Sequence, residues 1–195
     1  MAKLIALDVA ILPPPDVAAR AIAASDALAQ GDESGPRLDA GHLPHITLSQ
    51  QFVREEELET AYGHIDGVLR DLPPPHVTAT GASKEGHTIW IAIERTPELI
   101  ALHERVMEAL RGLERPEGTP SAFVDHDARL ADVLWVSGFR LKSSFGAFQP
   151  HIRVGHGHEP PPIESFTFDA TTVAACHLGR HCTCRRVLRR WVLGR

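Results

Sequence analysis

Two segments far apart in the chain repeat one pattern. Residues 44–48 read Pro44-His45-Ile46-Thr47-Leu48, and residues 150–154 read Pro150-His151-Ile152-Arg153-Val154. Each is Pro-His-Ile-x-aliphatic, and each is expected to lie on a strand. Side chains at i and i+2 of a strand share a face. His45 therefore lies beside Thr47, and His151 beside Arg153, while the aliphatic residues turn into apolar packing. Two imidazoles that face each other can divide acid and base roles, because an unperturbed histidine titrates near pH 6.5. A hydroxyl two residues along supplies a short, rotatable donor for a phosphate oxygen. That set of groups suits attack on a phosphodiester and requires no metal.

The elements that must position these residues follow from the hydrophobic pattern. Lys3–Leu12 predicts a first strand, ended by Pro13-Pro14-Pro15. Asp16 is placed to cap a helix over Val17–Gln30 with Val17, Ile22, Ala24 and Leu28 on one stripe. Gly31–Gly41 predicts a loop into the strand His45–Phe52. A helix over Glu55–Leu72 opens on three acids and is closed by three prolines. His76–Ala82 and Thr88–Glu94 predict a hairpin, and Pro97–Gly112 a helix. The stretch from Phe123 to Phe148 is harder to read, with a short helix expected around Ala128–Gly138. Gln149–Gly155 is the second motif strand. Ser165–Leu178 and Thr183–Leu193 are expected as a closing hairpin turning at Gly179-Arg180-His181. Alternating strands and helices with hairpin-like pairs predict α+β layers.

With both motifs and this order of elements, the sequence resembles the two-histidine (2H) phosphoesterases, which include the 2′-5′ RNA ligase-like proteins. Their signature is a pair of His-x-Thr/Ser motifs, one in each of two pseudo-symmetric lobes, and the likeness covers nearly the whole chain. The resemblance implies a bilobal α+β fold over residues 1–195, with two antiparallel sheets around a central cleft and helices outside. It also implies metal-independent opening of a 2′,3′-cyclic phosphate, at an RNA end or on a nucleotide, to leave a 2′-phosphate. His45 and His151 would be the catalytic pair, with Thr47 and Arg153 holding the phosphate. Some members join 2′-5′ linkages and others only bind nucleotides, so both remain alternatives. Arg153 departs from the pattern, which expects Thr or Ser. Its guanidinium keeps phosphate affinity but is several atoms longer. A cation beside His151 should lower that imidazole's pKa, which favours His151 as base and His45 as acid.

Composition narrows the partners. Lys and Arg number 20 against 25 Asp and Glu, a formal charge of −5. A protein that coats nucleic acid is normally basic, so an RNA 3′ end or a single cyclic nucleotide is the expected substrate, and no DNA is expected. No apolar run approaches the ~20 residues of a membrane helix, and the first residues lack a signal-peptide pattern. With Cys176, Cys182 and Cys184 read as reduced thiols, a cytoplasmic monomer without a cofactor is expected. The run Cys176-His177-x-x-x-His181-Cys182-x-Cys184 offers metal-binding side chains, but its spacing matches no common zinc pattern. The arginines at the C-terminal end read as a charged sheet edge. His42, Phe52 and Phe148 flank the motifs closely enough to line a cleft. Trp90 and Trp191 sit in strand patterns and are expected in the core.

Overall fold

The first strand, β1 (Leu4–Leu12), separates two cores by simple alternation. Leu7, Val9 and Ile11 enter one apolar cluster, while Ala6 and Ala10 enter the other. Asp8 lies between those two alanines in sequence and is 0% exposed. A carboxylate in that position needs compensation from its neighbours.

The computed structural model describes residues 2–28 and 35–194. After β1 come α1 (Pro15–Leu28), β2 (Ile46–Arg54), α2 (Leu58–Leu69), β3 (His76–Glu85), β4 (Thr88–Ile93), α3 (Pro97–Leu110) and α4 (Leu130–Lys142). The chain ends with β5 (His151–His156), β6 (Phe166–Asp169), β7 (Thr172–Leu178) and β8 (Cys184–Val192). Two four-stranded sheets result, ordered β2-β1-β7-β8 and β5-β4-β3-β6, and every pairing is antiparallel. The two motif strands, β2 and β5, hold equivalent edge positions. Each pairs with the strand that precedes it, across a helical connection. This is the pseudo-two-fold arrangement expected of the α+β fold.

Local chemistry explains the element ends. Pro15 opens α1, where its missing N–H costs nothing, and Asp16 lies within the first turn near the positive end of the helix dipole. Gln30, where the sequence pattern ended this helix, and residues 31–34 of the expected loop lie outside the described residues. Thr96 caps α3 by accepting the Leu99 N–H at 3.3 Å, with Pro97 following it. The acid-rich start expected for the second helix is a separate 3-10 turn, Glu55–Glu57, before α2.

Two expectations are corrected. The helix expected around 128–138 begins and ends later, at Leu130 and Lys142, because Asp132 accepts the Arg129 backbone N–H at 2.9 Å and fixes the start. The single strand expected over Ser165–Leu178 is two strands in different sheets. β6 pairs with β3, the chain crosses at Ala170-Thr171, and β7 pairs with β1. Continuous apolar and β-branched character runs through the crossover, so periodicity alone does not mark it.

The larger core lies between the sheets and helices α1 to α3, with Ile46, Leu48, Ile152 and Val154 among its buried members. The smaller covers the other face of the first sheet with Phe52, Phe123, Val133 and Val136. Both motifs thus bury the aliphatic positions that the strand alternation predicted.

Candidate active site

The two motif histidines are held in the same way. The His45 Nδ1–H donates to the Leu43 carbonyl at 2.7 Å, and the His151 Nδ1–H to the Gln149 carbonyl at 2.8 Å. In each case the acceptor lies two residues back, across the motif proline. A hydrogen bond on Nδ1 fixes the neutral tautomer and leaves the Nε2 lone pair for chemistry. β2 and β5 come into contact, and the two imidazoles are close enough for charge on His45 to oppose charge on His151. Burial is the main influence on both and lowers each pKa to about 4, with the Arg153 cation adding to it in each case. Arg153 lowers the His151 pKa as expected, and it depresses His45 as well, so its charge alone does not divide the two roles.

The sequence motifs did not reveal Asp8. Thr47 Oγ1 donates to Asp8 Oδ2 at 2.9 Å and Gln50 Nε2 donates to the same oxygen at 2.7 Å. His45 Nε2 lies 3.7 Å from it. Burial raises the Asp8 pKa to about 7, against the lowering effect of these two donors. The β1–β2 register pairs Val9 with Ser49 and Ala10 with Thr47, leaving Leu48 unmatched. A bulge of this kind re-aims neighbouring side chains, and here it falls within the first motif. Gln50 is held in turn by Trp135, whose indole N–H donates to Gln50 Oε1 at 2.9 Å. Trp135 is 49% exposed. A hydrogen-bond chain thus runs from an open aromatic face through Gln50 and Asp8 to Thr47.

Arg153 joins the two sheets. Its guanidinium donates to the His181 carbonyl, in the turn between β7 and β8. That turn holds His181 at φ +62° and Cys182 at φ +53°. Asp132, almost fully buried, fixes it by accepting the His181 N–H at 3.2 Å and the Arg129 guanidinium at 2.6 and 3.1 Å. A shorter Thr or Ser at position 153 could not span this gap. Arginine has five donors, so one bond to a carbonyl leaves others for a phosphate.

His103, which sequence reasoning passed over, supports both motifs. Its Nδ1–H donates to the Leu48 carbonyl at 2.7 Å, and its Nε2 accepts the Phe145 N–H at 2.8 Å. Its ring stacks on Phe148 with centroids 4.0 Å apart. One buried imidazole therefore fixes the bulge of the first motif and the approach to the second. The only available signal was a histidine within the apolar stripe of a helix.

The remaining sequence candidates fall elsewhere. Phe52 and Phe148 are buried packing residues and not exposed cleft walls. Phe52 meets Phe123 edge-on at 5.8 Å, and any Cβ at Gly118 would stand 2.4 Å from its ring. His42 stays in its loop, with Nδ1–H donating to Asp39 at 2.9 Å. Trp191 is core as expected, but Trp90 is half-buried, with its ring 5.4 Å from that of His151. Of the C-terminal arginines, Arg185 and Arg189 pair with Asp125 and Asp66. The Cys176–Cys184 run does not gather into one site: the three cysteines are buried, while His177 Nε2–H donates to the Ala122 carbonyl at 2.8 Å.

The fold and its two equivalently held histidines define a duplicated α+β scaffold with one motif strand per sheet. The chain belongs to the 2′-5′ RNA ligase superfamily, the 2H phosphoesterases, whose family model matches residues 13–176. Among solved structures it is similar to TT0787 of Thermus thermophilus, at 17% identity and a TM-score of 0.66, covering 97% of this chain and 98% of that one. It is also similar to E. coli LigT in apo form, at 20% identity, TM-score 0.60 and 99% of both chains. LigT complexed with 3′-AMP matches at 19% identity and TM-score 0.59, covering 99% and 100%. No curated protein matches the chain. Family membership supports an enzyme of phosphoesterase or ligase type.

Proposed function

We propose that the chain hydrolyses a 2′,3′-cyclic phosphate, on a nucleotide or at an RNA 3′ end, to a 2′-phosphate without a metal. The observation that carries this reading is the matched pair of histidines, each with Nδ1–H tied to a backbone carbonyl and Nε2 left for chemistry. His151 Nε2 takes a proton from water as the water oxygen attacks phosphorus. The bond from phosphorus to the 3′ oxygen breaks, and His45 Nε2 relays to that oxygen a proton supplied by protonated Asp8. His45 is suited to the acid role because Asp8, titrating near 7, lies 3.7 Å from its Nε2. Two groups this close share protons as a pair. His151 has no such carboxylate partner among the described residues. Arg153 neutralises phosphate charge, and Thr47 adds a hydrogen bond to the bound phosphate while Asp8 holds its proton, returning to the Asp8 carboxylate after the proton has passed to the leaving oxygen. The nucleotide-bound LigT structures support a nucleotide-type substrate.

Incubating the protein with nucleoside 2′,3′-cyclic phosphates in EDTA tests the reading. Release of the 2′-phosphate is expected, and no turnover by folded protein would contradict it. Arg153 favours one second reading, a nucleotide-binding module, since it stands where the family has Thr or Ser. That reading instead requires saturable binding without product, and turnover gained by Arg153→Thr.

The exposed face of Trp135, linked through Gln50 to Asp8, is suited to stacking a nucleobase. Base–aromatic stacking contributes about 1–3 kcal/mol. Trp135→Ala is expected to raise KM about tenfold or more with a smaller change in kcat, and Trp135→Phe to recover most of the affinity. Steady-state kinetics of the two variants check this, and an unchanged KM in Trp135→Ala would remove the stacking role.

A further inference from the structure

The cysteines and histidines clustered in sequence near the C-terminus do not form a metal site, yet the fold gathers ligands from three distant parts of the chain. Among the described residues, Asp8, His45 and Cys184 place a carboxylate oxygen, an imidazole nitrogen and a thiol sulfur within 4.8 Å of one another. Asp8 comes from β1 and Cys184 from the start of β8. Residue 45 is drawn in because the Leu43 N–H donates to the Cys184 carbonyl at 2.9 Å.

We propose that this trio is an inhibitory site for zinc or a similar thiophilic divalent cation, which silences the enzyme by occupying His45. The proposal rests on the proposed role of His45 only for its effect on turnover, since binding itself needs no activity. Carboxylate, imidazole and thiolate are a borderline-soft donor set that suits zinc and not magnesium or calcium. Three protein ligands leave a fourth position open to solvent or phosphate.

Three further observations fit a metal site. His45 Nδ1–H is held by the Leu43 carbonyl, the usual outer hydrogen bond of a metal-ligating histidine, so Nε2 is the available donor. Asp8 Oδ2 is oriented by Thr47 and Gln50, while Asp8 Oδ1 is fully buried with no hydrogen-bond partner among the described residues. A lone buried carboxylate oxygen is costly unless something compensates it. The geometry is also close. Zinc–ligand bonds of about 2.0–2.3 Å place tetrahedral ligands about 3.3–3.6 Å apart, and the His45 Nε2–Asp8 Oδ2 separation is 3.7 Å. The Cys184 sulfur lies within 4.8 Å of both atoms and would complete the site by moving toward them.

Binding is balanced in charge. Zinc takes the thiolate of Cys184, whose proton leaves to solvent, together with the Asp8 carboxylate and neutral His45. The two anionic ligands cancel the cation's charge and offset repulsion from the nearby Arg153. With its Nε2 lone pair on zinc, His45 can neither accept nor deliver a proton.

The test uses EDTA-treated full-length protein titrated with Co²⁺ and Zn²⁺. Bound metal is measured after dialysis, and the cobalt form is read for a thiolate-to-cobalt charge-transfer band. The expected result is one cobalt per chain with that band. Cys184→Ser should lose the band and the tight binding, while Cys176→Ser and Cys182→Ser retain both. His45→Ala, at a more accessible position, should also lose the metal, which keeps the test decisive if Cys184→Ser fails to fold. Where turnover is present, zinc should abolish it, EDTA restore it, and Cys184→Ser turn over normally and ignore zinc. Cobalt binding without the thiolate band, or binding unchanged in His45→Ala, would overturn the proposal. If no turnover is found, the cobalt spectrum still decides the site, so failure of the activity and failure of the metal site are separable.

Discussion

His45→Ala and His151→Ala are each expected to lower kcat on a cyclic nucleotide by about 10²–10⁴, the range for removal of one acid–base group. His45 immediately precedes β2 and His151 opens β5, each with a partly exposed side chain, while Ile46 and Ile152 carry the packing. The folded state should therefore survive either change. The double variant should lose far less than the product of the two single losses, because groups that act in one step are not additive. Leaving-group chemistry separates the roles. A phosphodiester with a nitrophenolate leaving group needs no protonation, so His45→Ala should regain most of its rate there. His151→Ala should not, since activation of water is still missing. Equal losses of both variants on both substrates would refute the division into acid and base.

The second large effect is a steep loss of stability in acid. Burial lowers the pKa of His45, His151 and His181 to about 4, whereas the unfolded chain titrates these near 6.5. Between those values the unfolded state holds more protons, so each histidine's stabilising contribution is complete above pH 6.5 and is lost as pH falls toward 4. Asp8 acts in the opposite sense: raised from 3.8 to about 7, it favours the unfolded state as pH rises through that window. Three protons against one leave a net uptake of about two on unfolding, or about 3 kcal/mol per pH unit between roughly 4.5 and 6. Over that window the loss is about 4 kcal/mol, a large part of the about 5–15 kcal/mol a domain has in total, so stability should fall steeply below pH 6. Urea midpoints measured from pH 7.5 to 4.5 check this. His181→Asn isolates one proton, because Asn tolerates the φ of +62° at that position. It should make the slope shallower by roughly 1 kcal/mol per pH unit. A midpoint that stays flat or rises toward acid would contradict these burial effects.

The proposed catalytic pair was legible because it depends on short-range order. Pro-His-Ile-x-aliphatic, read with a period of two, places His45 with Thr47 and His151 with Arg153, and the buried Ile46, Leu48, Ile152 and Val154 follow from the same alternation. Asp8 was hidden by that rule. In Leu7-Asp8-Val9 it looks like the polar face of a half-exposed strand, but β1 is central and α4 with its preceding loop covers that face. Only the tertiary covering makes Asp8 a buried carboxylate. Phe52 and Phe148 were misplaced for a related reason: nearness to a motif in sequence does not distinguish cleft wall from core. The role of Arg153 was half visible. Its charge could be read, but its bond to the His181 carbonyl depends on a left-handed turn that no local signal announced. The gathering of Asp8, His45 and Cys184 depends on three segments meeting and has no sequence spacing at all.

The central claim is that two histidines, without a metal, open a cyclic phosphate toward the 2′ side. A short RNA ending in a 2′,3′-cyclic phosphate, incubated in EDTA with the wild-type protein and with each His→Ala variant, tests it most directly when 2′- and 3′-phosphate ends are resolved. The account predicts a 2′-phosphate from the wild type and almost none from either variant. A 3′-phosphate product, or a 2′-phosphate that persists when His45 or His151 is gone, would contradict it.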